Sequence, residues 1–218
     1  MNRYLNWATA VVSIWASLMI SAISFPAIAA DGEASAHGIV EENVKVLLKR
    51  VFEEKPYYKA NPERFNQAIS EVLTPVVDFD RIAKQVMGKK FFKTATDSQV
   101  VRFTEVFRSS LIKAYSATFA EIEDQKIVVL PPSAEEIAKA VSTKKATVKM
   151  EIIGSTGDKI PLAYSMQQHD GEWKVTNIVI NGINMGLTFR NQFAQSMSVN
   201  ANDIDKVIQK WRADTLES

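Results

Sequence analysis

Two histidines, no cysteine and a few close-set carboxylates are the side chains of this 218-residue chain that could do covalent chemistry. With no thiol there is no cysteine nucleophile. His37 stands in a small polar stretch and His169 at a hairpin signal, so neither a Ser-His-acid triad nor a histidine-ligated metal site is available. Two acids alone can run proton transfer, and Asp78 with Asp80, or Glu121 with Glu123 and Asp124, are the candidate sets. The first pair flanks a helix start, where carboxylates complement the helix dipole, and the second group closes a helix at a solvated end. Gly154-Ser155-Thr156-Gly157 is the nearest approach to a phosphate loop, but it joins two strands and opens no helix, so it reads as a hairpin turn. No Walker loop, dinucleotide fingerprint or nucleophile elbow is present. The inventory points away from an enzyme and implies no cofactor and no metal.

Residues 1–30 read as a cleavable export signal. Arg3 precedes an apolar run from Trp7 to Phe25, and Ala27 and Ala29 stand where a signal peptidase would hold small side chains. Removing this segment takes one cation and no acid, which leaves equal numbers of Lys plus Arg and Asp plus Glu. A neutral chain has no electrostatic reason to hold nucleic acid or to sit permanently on an anionic bilayer. Cysteine-free composition fits an exported protein whose stability comes from a hydrophobic core, and residues 31–218 have the length of a single domain.

The mature chain begins small and polar to Gly38, a stretch expected to be flexible. Val44, Leu47, Leu48, Val51 and Phe52 then recur on one face of a helix. Asn61-Pro62-Glu63 starts a second helix, Asp78 caps a third that Gly88 terminates, and Lys89 to Lys93 reads as a connector. Thr96 and Gln99 form a capping box for a longer helix in which Phe103, Phe107, Leu111, Tyr115 and Phe119 recur, long enough to cross a sheet. After Gln125 the period becomes two. Ile127 to Leu130, Thr147 to Ile153, Ile160 to Met166 and a strand begun by Trp173 follow, with Asp170-Gly171 as a hairpin turn. Ile178 and Ile180 are out of phase with Trp173 and Val175, which predicts a bulge near Thr176-Asn177 and a bent sheet. A helix with Leu187, Phe189, Phe193 and Met197 comes next, then a last one capped by Asn202. Helices, then antiparallel strands, then helices give an α+β fold: a bent antiparallel sheet of about four strands wrapped by several helices.

Met150, Leu162, Tyr164, Met166, Trp173 and Val175 share one sheet face, with Phe107, Leu111 and Tyr115 of the long helix expected opposite. An apolar face by itself does not reveal whether it closes on a solid core or leaves a hollow.

Three segments resemble the MlaC, or toluene-tolerance, family of periplasmic phospholipid-binding proteins. They are Val77-Asp78-Phe79-Asp80-Arg81-Ile82-Ala83 with Val86-Met87-Gly88-Lys89; Arg102-Phe103, Phe107, Leu111 and Tyr115; and Tyr164 through Gly171-Glu172-Trp173-Lys174-Val175 to Asn181-Gly182-Ile183-Asn184 and Phe189-Arg190-Asn191-Gln192-Phe193. Asn177, Asn184 and Phe189 depart from the residues usual in that family. The resemblance implies an NTF2-like or cystatin-like sheet with an apolar cavity, and a phospholipid held as cargo rather than as a cofactor. It implies a periplasmic, monomeric carrier in transient contact with membranes. Its partners would be an outer-membrane lipoprotein complex and an inner-membrane ABC transporter complex. On that footing the lipid-facing residues would be Val86, Phe107, Leu111 and Tyr115 from helices, and Val148, Met150, Ile152, Leu162, Tyr164, Met166, Trp173 and Val175 from strands. Ile180, Ile183 and Met185 would lie near the mouth. An acid at Tyr164 or Met166 would then abolish lipid retention in a folded protein. A solid-cored adaptor and an NTF2-like enzyme are the rival readings.

Overall fold

The computed structural model describes residues 35–123 and 125–212. The export segment expected over residues 1–30, and Asp124, lie outside them. Side-chain caps set most helix starts. Ser35 accepts the Gly38 amide and opens α1 (Ala36–Glu54), so the stretch expected to be flexible is helical from Ala36 and His37 lies in its first turn. Asn61 caps α2 (Pro62–Leu73), with Pro62 at the position where a missing N–H costs nothing. Asp78 accepts the Arg81 amide and opens α3 (Phe79–Phe92). Gly88 breaks that helix at φ 68° and ψ 158°, yet the chain resumes helical form through Phe92 where a connector was expected. The Thr96–Gln99 capping box opens α4 (Asp97–Ala120) as its spacing predicts.

Five antiparallel strands follow in sequential order: β1 (Lys126–Val129), β2 (Lys145–Ile153), β3 (Lys159–His169), β4 (Glu172–Ile180) and β5 (Ile183–Asn184). The fifth strand, one more than expected, is two residues long, too short to show alternation; Asn181 and Gly182 turn into it with positive φ. Between β1 and β2 lies α5 (Ala134–Thr143), a helix absent from the expectation although Ser133 and Glu136 form a full capping box. None of its residues is buried, although Ala134, Ile137, Ala138 and Val141 recur at helical spacing, so its apolar stripe is present in the sequence but stays largely exposed at Ile137 and Val141. The chain ends in α6 (Met185–Val199) and α7 (Ile204–Lys210). Asp203, not Asn202, caps α7 by accepting the Lys206 amide, because Asn202 is turned into the left-handed region at φ 58°.

The expected bulge is present. Ser165 faces Asn177 while Met166 faces Val175, so Thr176 is the extra residue, and its hydroxyl donates to the Ser165 carbonyl at 3.1 Å. The segment before α3 is tied to the same strand: Val77 bridges Val175 in parallel, and the Asp78 amide donates to the Val175 carbonyl at 2.9 Å.

The buried residues fall into three separate clusters. In the first, α3, α4, α6 and α7 meet around Phe103, Phe107, Phe189, Phe193 and Trp211, whose rings stack at centroid distances from 4.8 to 6.2 Å. The second lies between the start of α1 and the sheet, at Ala36, Val40, Val148, Met150, Met166, Trp173 and Val175. Leu47, Val51, Phe65, Ile69, Val72 and Ile112 form the third, among α1, α2 and α4.

Candidate functional site

Strand register decides which side chains share the inner face. Val148 pairs with Tyr164, Met150 with Leu162 and Ile152 with Ile160; across the next ladder Leu162 pairs with Ile180, Tyr164 with Ile178 and Met166 with Val175. Directly opposed residues project to the same side of a sheet. Without Thr176 the last two isoleucines would point outward. The bulge therefore returns Ile178 and Ile180 to the face that carries Tyr164 and Leu162.

This apolar face does not rest on one core. Its β2, β3 and early β4 residues pack under α1 in the second cluster, while Ile178 and Ile180 pack with α3, α4 and α6 in the first. The seam runs along the pairs Leu162–Ile180 and Tyr164–Ile178, and all four side chains are only partly buried. Val77 is the partly buried residue that packs against both clusters. Three elements join the clusters into a ring: the sheet links the first to the second, α1 the second to the third, and α4 the third to the first.

Helix α4 does not lie across the strands as its length suggested. It packs chiefly on α2, α3 and α7, whereas α1, α3, α5 and α6 touch the sheet. Leu111 and Tyr115 of α4 are partly buried against the first cluster, as are Ile178 and Ile180 of β4. Helix α4 and the sheet thus both carry apolar side chains that their own cores cover only in part, Leu111 and Tyr115 on the one and Leu162, Tyr164, Ile178 and Ile180 on the other.

The fifteen residues singled out from sequence divide accordingly. Val86, Phe107 and Met185 are buried in the helical cluster, with Leu111, Tyr115 and Ile180 packed against it. Val148, Met150, Met166, Trp173 and Val175 are buried under α1, with Leu162 and Tyr164 alongside. Ile152 is partly covered, and Ile183, on the short edge strand, is 47% exposed. Burial pushes the Tyr164 phenol pKa up, because apolar surroundings disfavour a phenolate. Sequence reasoning missed Ile39 and Val44 of α1, Val77 and Ile178 as neighbours of this face. Only Ile178 carried a usable signal, the phase slip; the α1 residues meet the sheet through tertiary contact alone.

Glu136 of α5 accepts from Lys149 of β2 at 2.7 Å and from the Ser133 amide at 2.9 Å, which lowers its carboxyl pKa to about 2. Asp78, a candidate general acid or base by its spacing to Asp80, is occupied as a helix cap and pairs with Arg81 at 3.0 Å. Among the described residues no cluster of His, Asp or Glu could hold a metal ion, and no helix is long and apolar enough to cross a membrane.

A model of the MlaC protein family matches residues 41–213. This chain belongs to the MlaC family. The toluene tolerance protein ttg2D of Pseudomonas putida is 37% identical over 201 residues, covering 92% of this chain and 90% of that one. A solved structure of a phospholipid-binding protein from Ralstonia solanacearum, in complex with a phospholipid, superposes with a TM-score of 0.70. It is 24% identical and covers 81% of this chain and 94% of that one, a likeness in fold. Membership in the MlaC family agrees with the three sequence segments that carried the resemblance, all of which fall inside the matched span.

Proposed function

We propose that this protein is a periplasmic phospholipid carrier, exported by the signal over residues 1–30. It seats acyl chains between the sheet and α4 and shuttles lipid between an outer-membrane lipoprotein complex and an inner-membrane ABC transporter, so maintaining outer-membrane lipid asymmetry. It touches both membranes' complexes briefly and does no covalent chemistry. The observation that carries this reading is the seam of partly buried apolar side chains at Leu162, Tyr164, Ile178 and Ile180, with the half-covered Leu111 and Tyr115 of α4 packed against the same cluster as the two isoleucines. Family membership supports it, as does a relative in fold that was solved with a phospholipid bound.

Elementary energetics explains why a protein is needed. Each bare methylene costs roughly 0.8 kcal/mol in water, so two chains of about sixteen carbons would cost on the order of 25 kcal/mol to move unprotected. Apolar walls remove most of that cost, and the headgroup can stay in solvent without a dedicated pocket.

Mass spectrometry of protein purified from the periplasm without detergent tests the proposal. Wild type should carry phospholipid, and Tyr164→Glu should be empty while its circular dichroism matches that of wild type, a check required because the phenol it replaces is itself shielded by apolar neighbours. Folded wild-type protein with no lipid would refute the carrier. Met166→Glu, attractive from sequence, is a poorer probe: at 2% exposure beneath α1 it would bury a carboxylate in the core and test folding instead.

A further inference from the structure

A groove of about 1030 Å³ lies between the first turns of α3 and those of α6, on the outside of the helical cluster. Asp78, Asp80, Arg81, Lys84 and Lys89 line it from α3, and Asn177, Asn184, Leu187 and Arg190 from β4, β5 and α6. Several of these groups are already committed to the fold. Asp78 and Arg81 neutralise each other at 3.0 Å, Asn177 accepts the Gly186 amide at 3.0 Å, and Asn184 accepts the Leu187 amide at 3.1 Å. Lys84, Lys89 and Arg190 make no ion pair among the described residues, although Asp80 borders the same groove. Three uncommitted cations therefore stand against one acid.

Arg190 is held in place without a carboxylate. Its guanidinium lies on Gly88: Nε and Cζ are 3.1 and 3.6 Å from where a Cβ would stand. Gly88 also takes φ 68° and ψ 158°, a backbone region open essentially to glycine. The break in α3 thus gives the arginine a flat seat. A guanidinium positioned by packing, with its forked donors unspent, is preorganised to meet a carboxylate.

We propose that this groove docks an acidic, extended segment of a partner protein. Three separate cations along one groove favour a peptide with several carboxylates over a single anion: Lys84 precedes and Lys89 follows the helix break at Gly88, and Arg190 enters from α6. Leu187, 55% exposed in the groove, offers an apolar contact to the same segment. A flat headgroup layer meets protruding cations, whereas these three line a hollow. The inference stands on the groove alone and does not depend on lipid carriage.

Fluorescence anisotropy with the purified protein and a labelled octapeptide of alternating Glu and Leu tests it, against the same peptide with Gln for Glu. The acidic peptide should bind about tenfold more tightly, with the preference fading as salt rises. Lys84→Glu with Lys89→Glu, both exposed side chains, should remove the preference while melting temperature and lipid content stay unchanged, and Arg190→Glu should do the same. Arg190→Lys should retain only part of it. Equal affinity for the two peptides, or a preference that survives the lysine reversals, overturns the proposal. So does competition by inorganic phosphate at equal concentration, which would mark a phosphate site. Sedimentation with phosphatidylglycerol vesicles through the same residues would mark a membrane surface and overturn it as well.

Discussion

Replacing Ile180 by alanine distinguishes a wall that faces cargo from one that faces the protein's own core. Ile180 pairs with Leu162 and is only partly buried. Phe193, by contrast, is fully buried and meets the rings of Phe91, Phe103 and Trp211 at 5.8, 4.8 and 5.9 Å. Ile→Ala deletes three carbons, worth about 2.4 kcal/mol when all are covered at roughly 0.8 kcal/mol each. In lipid-free protein, solvent already reaches part of that side chain, and about half of the sum, ~1.2 kcal/mol, is lost. With an acyl chain over it the whole is lost. The loaded form should therefore fall by about 1.2 kcal/mol more than the empty form, or about 2 to 5 °C in melting temperature for a domain of this size. Phe193→Ala should cost about 3–5 kcal/mol and cost it equally in both forms. Differential scanning calorimetry of loaded protein, and of protein stripped of lipid and refolded, reads both numbers. An Ile180→Ala shift identical in the two forms would refute the assignment of this wall to cargo.

Deleting Thr176 should remove the bulge and turn Ile178 and Ile180 to the opposite face, giving a protein with a normal strand content by circular dichroism but no bound phospholipid; retention of lipid would mean that the bulge does not set the wall. Glu136 should shape the acid limb of stability. Its carboxyl is held at about 2 against an ordinary value of 4.5, so its contribution is complete above pH 4.5 and is lost as pH falls toward 2. The wild-type melting temperature should accordingly drop more steeply over that window than that of Glu136→Gln, and parallel curves would refute the assignment.

Much of the fold is legible because its signals are local. A capping side chain reaches an amide two or three residues away, so Asn61, Asp78 and the Thr96–Gln99 pair mark helix starts with no knowledge of the rest of the chain. Asp170-Gly171 needs only its own backbone to turn, and the slip in alternation before Ile178 contains the bulge. Local signals also mislead where two candidates adjoin: Asn202 and Asp203 can each cap a helix, and the turn geometry at Asn202 leaves the role to Asp203. Helix α5 carries the same kind of local signal, a capping box at Ser133 and Glu136 and apolar residues at Ala134, Ile137, Ala138 and Val141, so its absence from the expectation is not for want of a pattern.

From sequence alone came most of the element types, the antiparallel α+β class, the bulge in the sheet and the set of apolar residues available to line a site. How those residues are shared out was decided in three dimensions. Whether Tyr164 packs under α1, and whether α4 lies on the strands or stands off them, depends on contacts between segments far apart in the chain, and hydrophobic burial is non-directional. An apolar side chain encodes that it will avoid water, not which neighbour, or which ligand, will cover it.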